Sequence, residues 1–382
     1  MKIVYSTESV TRNGGIQTVT IVKANALAEI EGNEVYIIVP HINGVSPRTI
    51  SPKVHVINLD IKDFWVSVFK QPARDRKYKK LLQDKLEHIG PDIVVSTGLQ
   101  DRLFLPRIRV SSNPVFIREI HFVSNYRELM AESFKERLLA SWSEFLDYRL
   151  SINRYDRIML LSEEDKRINW PGNAKAVYMP NPLTVSSQVK SPLSGKKAIA
   201  VGRLCYQKHF DALIKAWRFV ADRFPEWTLE IWGGNGPLHD KLKKLISDLN
   251  LENHVFLKGE TPSVSSKMAE SSMIISTSVF EGMPLVLLEA LSVGLPIVTF
   301  NYKYGADEIV KEGENGFIVE QDDLKALADR IGILISDEDL RRKFGRNSLV
   351  LSQQFYPEVI AKRWMELFQI LRAEKTDPRH NR

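Results

Sequence analysis

The sequence predicts an α/β protein made of two doubly wound domains that face each other across a cleft. Short β-branched runs alternate with helical patterns along almost the whole chain, which is typical of parallel sheets covered by helices on both faces. The chain has 382 residues, which is too many for one ordinary domain. Residues 181–197 are rich in Pro, Ser and Gly and poor in apolar residues, which indicates a linker between two halves.

The first half, residues 1–182, is predicted to contain the first sheet. Six apolar, β-branched runs are predicted as buried strands: 2–6, 34–39, 54–59, 92–96, 115–120 and 157–161. Apolar residues three and four positions apart predict the helices between them, as at Tyr78, Leu81, Leu82 and Leu86.

The second half, residues 183–356, repeats this alternation. Its predicted strands are 198–201, 228–231, 255–257, 273–276, 296–299 and 316–319. The last helix is predicted over about 357–372, and no strand follows it. Because Trp364 and Phe368 lie on its apolar side, we expect it to pack back on the first domain. The residues from about 374 onward are predicted to be disordered.

The composition excludes several classes of protein. Hydrophobic residues make up 43% and charged residues 26%, as in soluble globular proteins. Apolar runs end well short of the roughly 20 residues that a bilayer span needs, and the N-terminus lacks the apolar core of a signal peptide. The single cysteine, Cys205, cannot form an internal disulfide and fits a reducing compartment. We therefore expect a cytoplasmic protein.

The positive charge is concentrated in the first half. The net charge is +6, and residues 1–182 carry 26 Lys and Arg against 21 Asp and Glu. The segment 61–85 holds eight basic and three acidic residues next to Phe64, Trp65 and Phe69. This combination suits an anionic membrane surface, although a solvated helix face is the simpler interpretation. No nucleic-acid-binding motif accompanies the charge, so we expect no nucleic-acid partner.

Candidate ligand-binding residues follow the predicted strands, because open parallel sheets bind ligands at the carboxyl ends of their strands. Gly14 and Gly15 follow the first strand and precede a helix, where backbone N–H groups can approach an anion. An ordinary turn would look the same. Neither a dinucleotide-binding G-x-G-x-x-G nor a Walker A pattern is present.

Two cations follow the first strand of the second half. Gly202 and Arg203 end this strand, and Lys208 comes five residues after Arg203. An Arg fork and a Lys point charge at one turn could hold a diphosphate, while a solvated turn is the alternative.

Two carboxylates flank the start of a predicted apolar helix. Glu281 lies in the loop before this helix, and Glu289 lies within it. Because a buried carboxylate needs partners, sugar hydroxyls could satisfy Glu281 and ribose hydroxyls Glu289, unless Glu289 faces solvent. The N–H groups of Gly282, Met283 and Leu285 offer an anion seat at the helix N-terminus.

Two further positions follow strands. The loop 232–236 (Trp-Gly-Gly-Asn-Gly) allows close approach of a base or ribose, or is a plain turn. His121 follows the strand at 115–120 and would place an imidazole at the cleft, where it is either a functional group or a bystander.

Taken together, these residues resemble the retaining glycosyltransferases of the GT4 family (glycosyl transferases group 1), which have two Rossmann-like domains in the GT-B fold. The resemblance covers essentially the whole chain and is most specific over 202–319. It implies an acceptor-side first domain and a nucleotide-sugar-binding second domain. Asn301 and Ala306 stand where relatives often have Asp and Pro, which bears on sugar specificity.

The resemblance also implies roles for individual residues. Arg203 and Lys208 would hold the donor diphosphate and stabilise the leaving group. Glu281 would bind the donor sugar, Glu289 the ribose, and His121 the sugar and the acceptor hydroxyl. Backbone groups of the glycines at 14, 15, 202 and 282, and of the residues at 283 and 285, would contact phosphate or sugar.

The function implied is transfer of a hexose or N-acetylhexosamine from a nucleotide sugar, expected to be a UDP-sugar, to a glycan acceptor. A lipid-linked acceptor in bacterial surface polysaccharide synthesis fits the basic aromatic segment. It also fits the helix predicted near 134–150, which carries Trp142 and Phe145, and both features suit an enzyme at the inner face of the membrane. No cofactor and no metal are expected, because the sequence has no D-x-D after a strand. The alternatives are a non-catalytic sugar-nucleotide-binding scaffold and a GT-B epimerase. A phosphorylase-like reaction would need a longer chain with a pyridoxal-bearing lysine.

Overall fold

The computed structural model describes residues 1–377 except 13, 62–70, 99–100, 103, 132, 186–188 and 235. The chain divides into two compact units. The first consists of Met1–Pro182 and Pro357–Arg382, and the second of Leu183–Tyr356. Residues 62–70 of the basic aromatic segment 61–85, which include Phe64, Trp65 and Phe69, lie outside the described residues.

The first unit is built on a parallel sheet with helices between its strands. Its described strands are β1 (Lys2–Ser6), β2 (Glu34–Val39), β3 (Val54–Asn58), β4 (Ile93–Ser96), β5 (Val115–Glu119), β6 (Arg157–Leu160) and β7 (Ala176–Tyr178). Its helices up to residue 182 are α1 (Gly15–Ala28), α2 (Gln71–Ile89), α3 (Tyr126–Leu129), α4 (Phe134–Leu150) and α5 (Glu163–Asn169). The strand order is β3-β2-β1-β4-β5-β6-β7. The order reverses between β1 and β4, and such a switch point is where this class of sheet binds ligands.

The second unit repeats this plan. Its described strands are β8 (Lys197–Val201), β9 (Thr228–Trp232), β10 (Val255–Gly259), β11 (Met273–Ser276), β12 (Ile297–Phe300) and β13 (Gly316–Val319). Its helices are α6 (Phe210–Arg223), α7 (His239–Asp248), α8 (Val264–Ala269), α9 (Leu285–Val293), α10 (Ala306–Ile309), α11 (Leu324–Ser336) and α12 (Glu338–Ser352). The sheet is parallel with the order β10-β9-β8-β11-β12-β13, so its switch point lies between β8 and β11.

The predicted strands are all present, with ends that differ from the prediction by at most two residues. Sequence reasoning missed β7, whose three residues are too short a run to stand out. The segment predicted as a linker, residues 181–197, is packed more closely than the prediction implied. Leu183 and Leu193 are buried, and their backbones bond to Phe355 and to the side chain of Arg341. Both ends of the 183–197 segment therefore pack against the second unit.

The chain ends in helix α13 (Pro357–Thr376), which belongs to the first unit. Trp364 and Phe368 are fully buried in the core that also contains Ile3 of β1 and Val95 of β4. The expectation of disorder from about residue 374 is wrong for 374–376. The helix continues there because Lys375 lies 2.8 Å from Asp156, and Glu374 pairs with Arg157.

Among the described residues, none of the helices combines the length and the apolar content needed to cross a lipid bilayer.

The packing of α13 predicts a large difference between two substitutions in that helix. Phe368→Ala should lower the free energy of unfolding by about 3–5 kcal/mol, because it leaves a cavity in the core of the first unit. Ile370→Ala is the matched control, since the Ile370 side chain is exposed and should change stability by less than about 1 kcal/mol. Urea unfolding curves of both variants would test this, and equal losses would contradict the assigned packing.

Candidate functional site

The loops that follow β8 and β11 lie side by side at the switch point of the second sheet. The Thr277 hydroxyl donates to the Lys208 carbonyl at 3.0 Å, and the Val279 N–H donates to the Gln207 carbonyl at 2.9 Å. Two segments 70 residues apart in sequence are therefore joined where a parallel sheet presents its ligand-binding edge.

Glu281 is the centre of a buried polar network in these loops. The Lys208 Nζ donates to its Oε1 at 2.6 Å, and the Ser278 hydroxyl donates to the same oxygen at 2.7 Å. The Gln207 side-chain amide donates to Oε2 at 3.2 Å. The sequence assigned Lys208 and Glu281 to different parts of a ligand, whereas the structure bonds them to each other. Because both oxygens have donors, the position of the carboxylate is well defined.

Tyr302 follows β12 and lies next to this network. Its side chain is fully buried, and its hydroxyl makes no hydrogen bond to any residue that the structure describes. Burial, together with the charge of Glu281, raises the pKa of Tyr302 well above its usual value. Tyr302 therefore remains protonated and can donate a hydrogen bond, which sequence reasoning did not predict.

The glycine-rich loop after β9 packs directly on the loop after β8. A side chain at Gly233 would place its Cβ 1.8 Å from the Gly202 carbonyl oxygen, and one at Gly236 would come 2.3 Å from the Leu204 carbonyl oxygen. The stem of Lys208 fills the space beside the Cα of Gly202. These glycines are needed for close backbone packing, which holds the Gly202–Lys208 turn in place.

Arg203 differs from the other cation predicted at this turn. Its side chain is exposed and has no hydrogen-bond or ion-pair partner among the described residues. Lys208, in contrast, is paired with Glu281. The guanidinium of Arg203 is therefore available to an anionic ligand without first breaking an internal bond.

Helix α9 begins directly after the Glu281 loop. Gly282 is partly exposed, Met283 is buried, and Pro284 is the N-cap, so that the first helical N–H belongs to Leu285. Glu289 is half-buried and accepts a hydrogen bond from the Thr184 hydroxyl at 2.6 Å. Glu289 is thus partly exposed, and one of its oxygens is bonded to Thr184, which lies where the chain enters the second unit.

His209 is a polar residue of this unit that sequence reasoning missed. His209 is the N-cap residue of α6. Its Nδ1 lies 3.0 Å from Oδ1 of Asp211, and its Nε2 lies 2.7 Å from Oδ1 of Asp322. The hydrogen bond to Asp211, followed by that to Asp322, raises the pKa of His209 above its usual value. No sequence pattern links His209 to Asp322, which is 113 residues away.

In the first unit, Gly14 and Gly15 lie where β1 leads into α1. Gly14 is the N-cap in an extended conformation, and Gly15 is the first helical residue. The helix N-terminus therefore lies beside the switch point of the first sheet, as the sequence predicted for a helix beginning near residue 16.

His121 follows β5 and belongs to a buried ionic cluster. Its Nε2 lies 3.0 Å from Oε2 of Glu119, and the same oxygen accepts a hydrogen bond from Lys23. Burial alone would raise the pKa of Glu119, but Lys23 and His121 lower it to about 2. Burial lowers the pKa of His121 in spite of its carboxylate neighbour. Sequence reasoning found His121 but missed both of its partners.

His121 also lines a cavity of about 670 Å³ in the first unit. The other walls come from the segment after β4 and from α3, α4 and α5, and they include Arg102, Tyr126, Tyr148 and Trp170. Arg102 is held by Asp147 of α4 at 3.0 Å. A mixture of aromatic rings and fixed charges suits a ligand that is both polar and ring-shaped.

The described residues contain no cluster of potential metal ligands. In the described part of the chain, no three His, Cys, Asp or Glu side chains come together in a way that could hold a metal ion.

The chain is similar in sequence to known glycosyltransferases. Residues 184–349 match the family described as Glycosyl transferases group 1. An uncharacterized glycosyltransferase of Haemophilus influenzae is 28% identical over 361 residues, which cover 92% of this chain and 95% of that protein. The poly(glycerol-phosphate) alpha-glucosyltransferase of Bacillus subtilis is 27% identical, over 94% of this chain and 53% of the relative. This chain thus spans about half the length of that relative.

Among solved structures, the architecture is similar to that of a Staphylococcus aureus TarM variant in complex with fondaparinux, alpha-GlcNAc-glycerol and UDP. The TM-score is 0.74 at 16% identity, and the match covers 96% of this chain and 99% of that one. At this identity the likeness concerns the fold. The predicted fold class, two parallel-sheet α/β domains, is confirmed.

The close packing of the glycine-rich loop predicts different outcomes for two Gly→Ala substitutions. Gly233→Ala should destabilise the second unit by about 1–3 kcal/mol, because its Cβ would collide with the Gly202 backbone. Gly195→Ala is the matched control, since its Cβ would make only ordinary contacts at 3.7 Å. Thermal unfolding of both variants would measure the difference. An unchanged melting temperature for Gly233→Ala would disprove the packing of the two loops.

Proposed function

We propose that the chain is a glycosyltransferase of the group 1 family and that it transfers a hexose or N-acetylhexosamine from a UDP-sugar to a glycan acceptor with retention of configuration. The match of residues 184–349 to this family and the likeness in fold to TarM support the proposal. One observation carries it. The exposed Arg203 lies on the same turn as Lys208, which is bonded to Glu281 across the switch point of the second sheet. A cation that has no partner among the described residues, on the same turn as a lysine that orients a carboxylate, suits a ligand with both phosphate and hydroxyl groups.

In this proposal the second unit binds the donor. The Arg203 guanidinium binds the diphosphate with two parallel N–H donors, and Lys208 adds positive charge where the leaving group becomes more negative. The N–H groups at the start of α9 and the backbone of Gly202 contribute further donors. This set of cations and dipoles stabilises the leaving diphosphate without a metal ion.

Glu281 would bind hydroxyl groups of the donor sugar. Its two oxygens are already held by Lys208, Ser278 and Gln207, but a carboxylate has about four acceptor positions, so capacity remains for sugar hydroxyls. Glu289, oriented by Thr184, would accept hydrogen bonds from the ribose. Both carboxylates bind here without acting as a base.

The reaction itself then needs few protein groups. The acceptor hydroxyl oxygen forms a bond to the anomeric carbon while the bond from that carbon to the diphosphate oxygen breaks. The departing diphosphate takes the hydroxyl proton on the same face of the sugar, which yields the retained product and a nucleoside diphosphate. The electrostatic stabilisation of this leaving group supplies most of the rate enhancement.

The names of similar proteins support the proposed nucleotide and the proposed class of acceptor. The TarM complex contains UDP and an alpha-linked GlcNAc compound, and the Bacillus relative is named an alpha-glucosyltransferase of poly(glycerol-phosphate). We therefore propose UDP as the nucleotide. We assign the acceptor to the first-unit cavity that His121 lines, and the class of acceptor proposed is a lipid-linked bacterial surface glycan.

We also propose that the first unit binds the surface of a membrane through α4. This helix begins with a capping box formed by Ser133 and Glu136, and its polar side chains Glu144 and Asp147 face the protein, where they contact Arg127. Its large apolar side chains are exposed instead: Phe134, Leu138, Leu139, Trp142, Phe145, Leu146 and Leu150. This orientation is the reverse of that of an ordinary surface helix and suits an apolar environment.

Basic side chains on α2 would add attraction to anionic lipids. Arg76, Lys77, Lys80 and Lys85 are exposed, and Lys79 is partly so. Each basic residue near an anionic surface contributes about 1 kcal/mol. An enzyme that modifies lipid-linked glycans would gain local substrate concentration from such binding.

Nucleotide binding to the purified protein tests the donor assignment. UDP at about 100 times its Kd should stabilise the folded protein by about 2.7 kcal/mol and raise the melting temperature, with or without EDTA. Arg203→Ala should weaken UDP binding by about 10- to 100-fold, because a charge-assisted hydrogen bond contributes about 1.5–3 kcal/mol. Thermal-shift titrations with UDP, GDP and ADP would measure both effects.

The matched control is Arg218→Ala, which removes an exposed arginine of α6 that pairs with Asp222. It should leave UDP binding unchanged. Selectivity for GDP or ADP would refute UDP as the nucleotide, and dependence on a divalent cation would refute the metal-free mechanism. UDP binding without release of UDP from any UDP-sugar and acceptor would favour a non-catalytic scaffold.

Vesicle binding tests the membrane assignment. The double substitution Leu138→Ser with Trp142→Ser should abolish cosedimentation with phosphatidylglycerol vesicles, because it removes apolar area from the exposed face of α4. Replacing Lys77, Lys79 and Lys80 by Gln should weaken binding to these vesicles by roughly 100-fold or more and reduce its salt dependence. Ile370→Ser, at an exposed apolar position of α13, is the control. Unchanged binding in the α4 variant would refute the proposal.

A further inference from the structure

The buried charges at the end of β5 are not accounted for by donor binding in the second unit. Glu119 is the last residue of β5, and His121 follows Glu119 by two residues. Lys23 lies in α1. Each side chain is at most 5% exposed. Burying an ion pair is costly and seldom adds stability, so such a pair is best explained by what it does to its neighbours.

The contacts determine which nitrogen of His121 carries a proton. An ionised carboxylate can only accept hydrogen bonds, and Oε2 of Glu119 lies 3.0 Å from Nε2. Nε2 is buried and makes no hydrogen bond of good geometry to any described residue, so its contact with Glu119 is electrostatic. A bare Nε2 would place two lone pairs against each other, so the proton must be on Nε2.

Lys23 keeps the ring neutral. Its ammonium pairs with the same Glu119 oxygen and cancels the charge that would otherwise favour an imidazolium. Burial lowers the pKa of His121, and the cations Lys23 and Arg118 lower it further. A neutral ring with its proton on Nε2 leaves Nδ1 as an acceptor.

The C-terminal helix completes the surroundings of Lys23. The Lys23 Nζ lies 5.0 Å from the centre of the Trp364 ring of α13 and 5.6 Å from that of Tyr5. These ring faces stabilise a buried ammonium without donating or accepting a proton. The return of α13 to the first unit thus covers the cluster from the side of α1.

We propose that Lys23 and Glu119 are a positioning pair that holds His121 in the Nε2–H form, so that Nδ1 accepts a hydrogen bond from a hydroxyl group of a sugar or polyol ligand in the cavity. His121 lines this cavity, and Nδ1 makes no hydrogen bond to any described residue. The identity of the ligand rests on the proposed function. The protonation state of His121 does not depend on it, because it is a property of the free protein.

The test is a measurement of the His121 tautomer by NMR. Long-range ¹H–¹⁵N correlations of the full-length protein, labelled with ¹⁵N-histidine, distinguish a protonated from a bare ring nitrogen, and His121→Gln identifies the signal. At pH 7 we expect a neutral ring with a proton on Nε2. An imidazolium, or a proton on Nδ1, would overturn the proposal.

A double variant tests whether the ion pair is responsible. Lys23→Met with Glu119→Leu removes both charges together and therefore leaves no unpaired charge in the core. His121 should lose its preference for the Nε2–H form, and kcat/KM should fall by about 10- to 100-fold. Lys53→Met with Glu29→Leu removes an exposed pair of the same unit and should change neither. An unchanged tautomer in the first variant would disprove the positioning role.

Lys23→Met alone provides a second test if the double variant does not fold. Without the ammonium, the charge of Glu119 acts on His121 alone, so the pH at which His121 titrates should rise. An unchanged or lower titration pH would contradict the proposal. If the wild-type tautomer is as expected but no nucleotide sugar is a substrate, the proposed function fails while the positioning role stands.

Discussion

The ion pair between Lys208 and Glu281 is the interaction on which the architecture of the second unit's candidate site depends. It joins the two loops at the switch point of the sheet, and both side chains are largely buried. Removing one member of such a pair leaves an uncompensated charge, at a cost of roughly 3–5 kcal/mol. The loops after β8 and β11 therefore keep one relative position, and Arg203 is exposed on the first of these loops.

The first unit also contains a buried lysine–glutamate ion pair, formed by Lys23 and Glu119. A lysine from a helix and a glutamate at the end of a strand form a buried pair next to a group that faces a cavity. In both units the pair is costly to bury and rigid once formed, because each charge needs the other. Its effect is on the neighbour: Lys23 and Glu119 act on His121, as Lys208 and Glu281 act on the turn that carries Arg203.

Backbone packing and surface chemistry complete this picture. Gly233 and Gly236 allow the loops after β8 and β9 to touch, which a single methyl group would prevent. In the first unit, α4 turns its polar side toward Arg127 and its apolar side outward. Buried ion pairs thus lie at the carboxyl ends of strands in both units, while α4 exposes a row of large apolar side chains.

The sequence by itself determined the fold class, the described strands except β7 and the type of residue at the candidate site, because these depend on local patterns. Alternating β-branched and helical runs identify parallel sheets, and residues that follow strands must lie at the carboxyl edge. Only the tertiary structure decided which polar groups meet. Lys208 bonds to Glu281, Lys23 to Glu119 and His209 to Asp322, over separations of 73, 96 and 113 residues. No local pattern encodes these pairs, since they exist only once the sheets and their covering helices have formed.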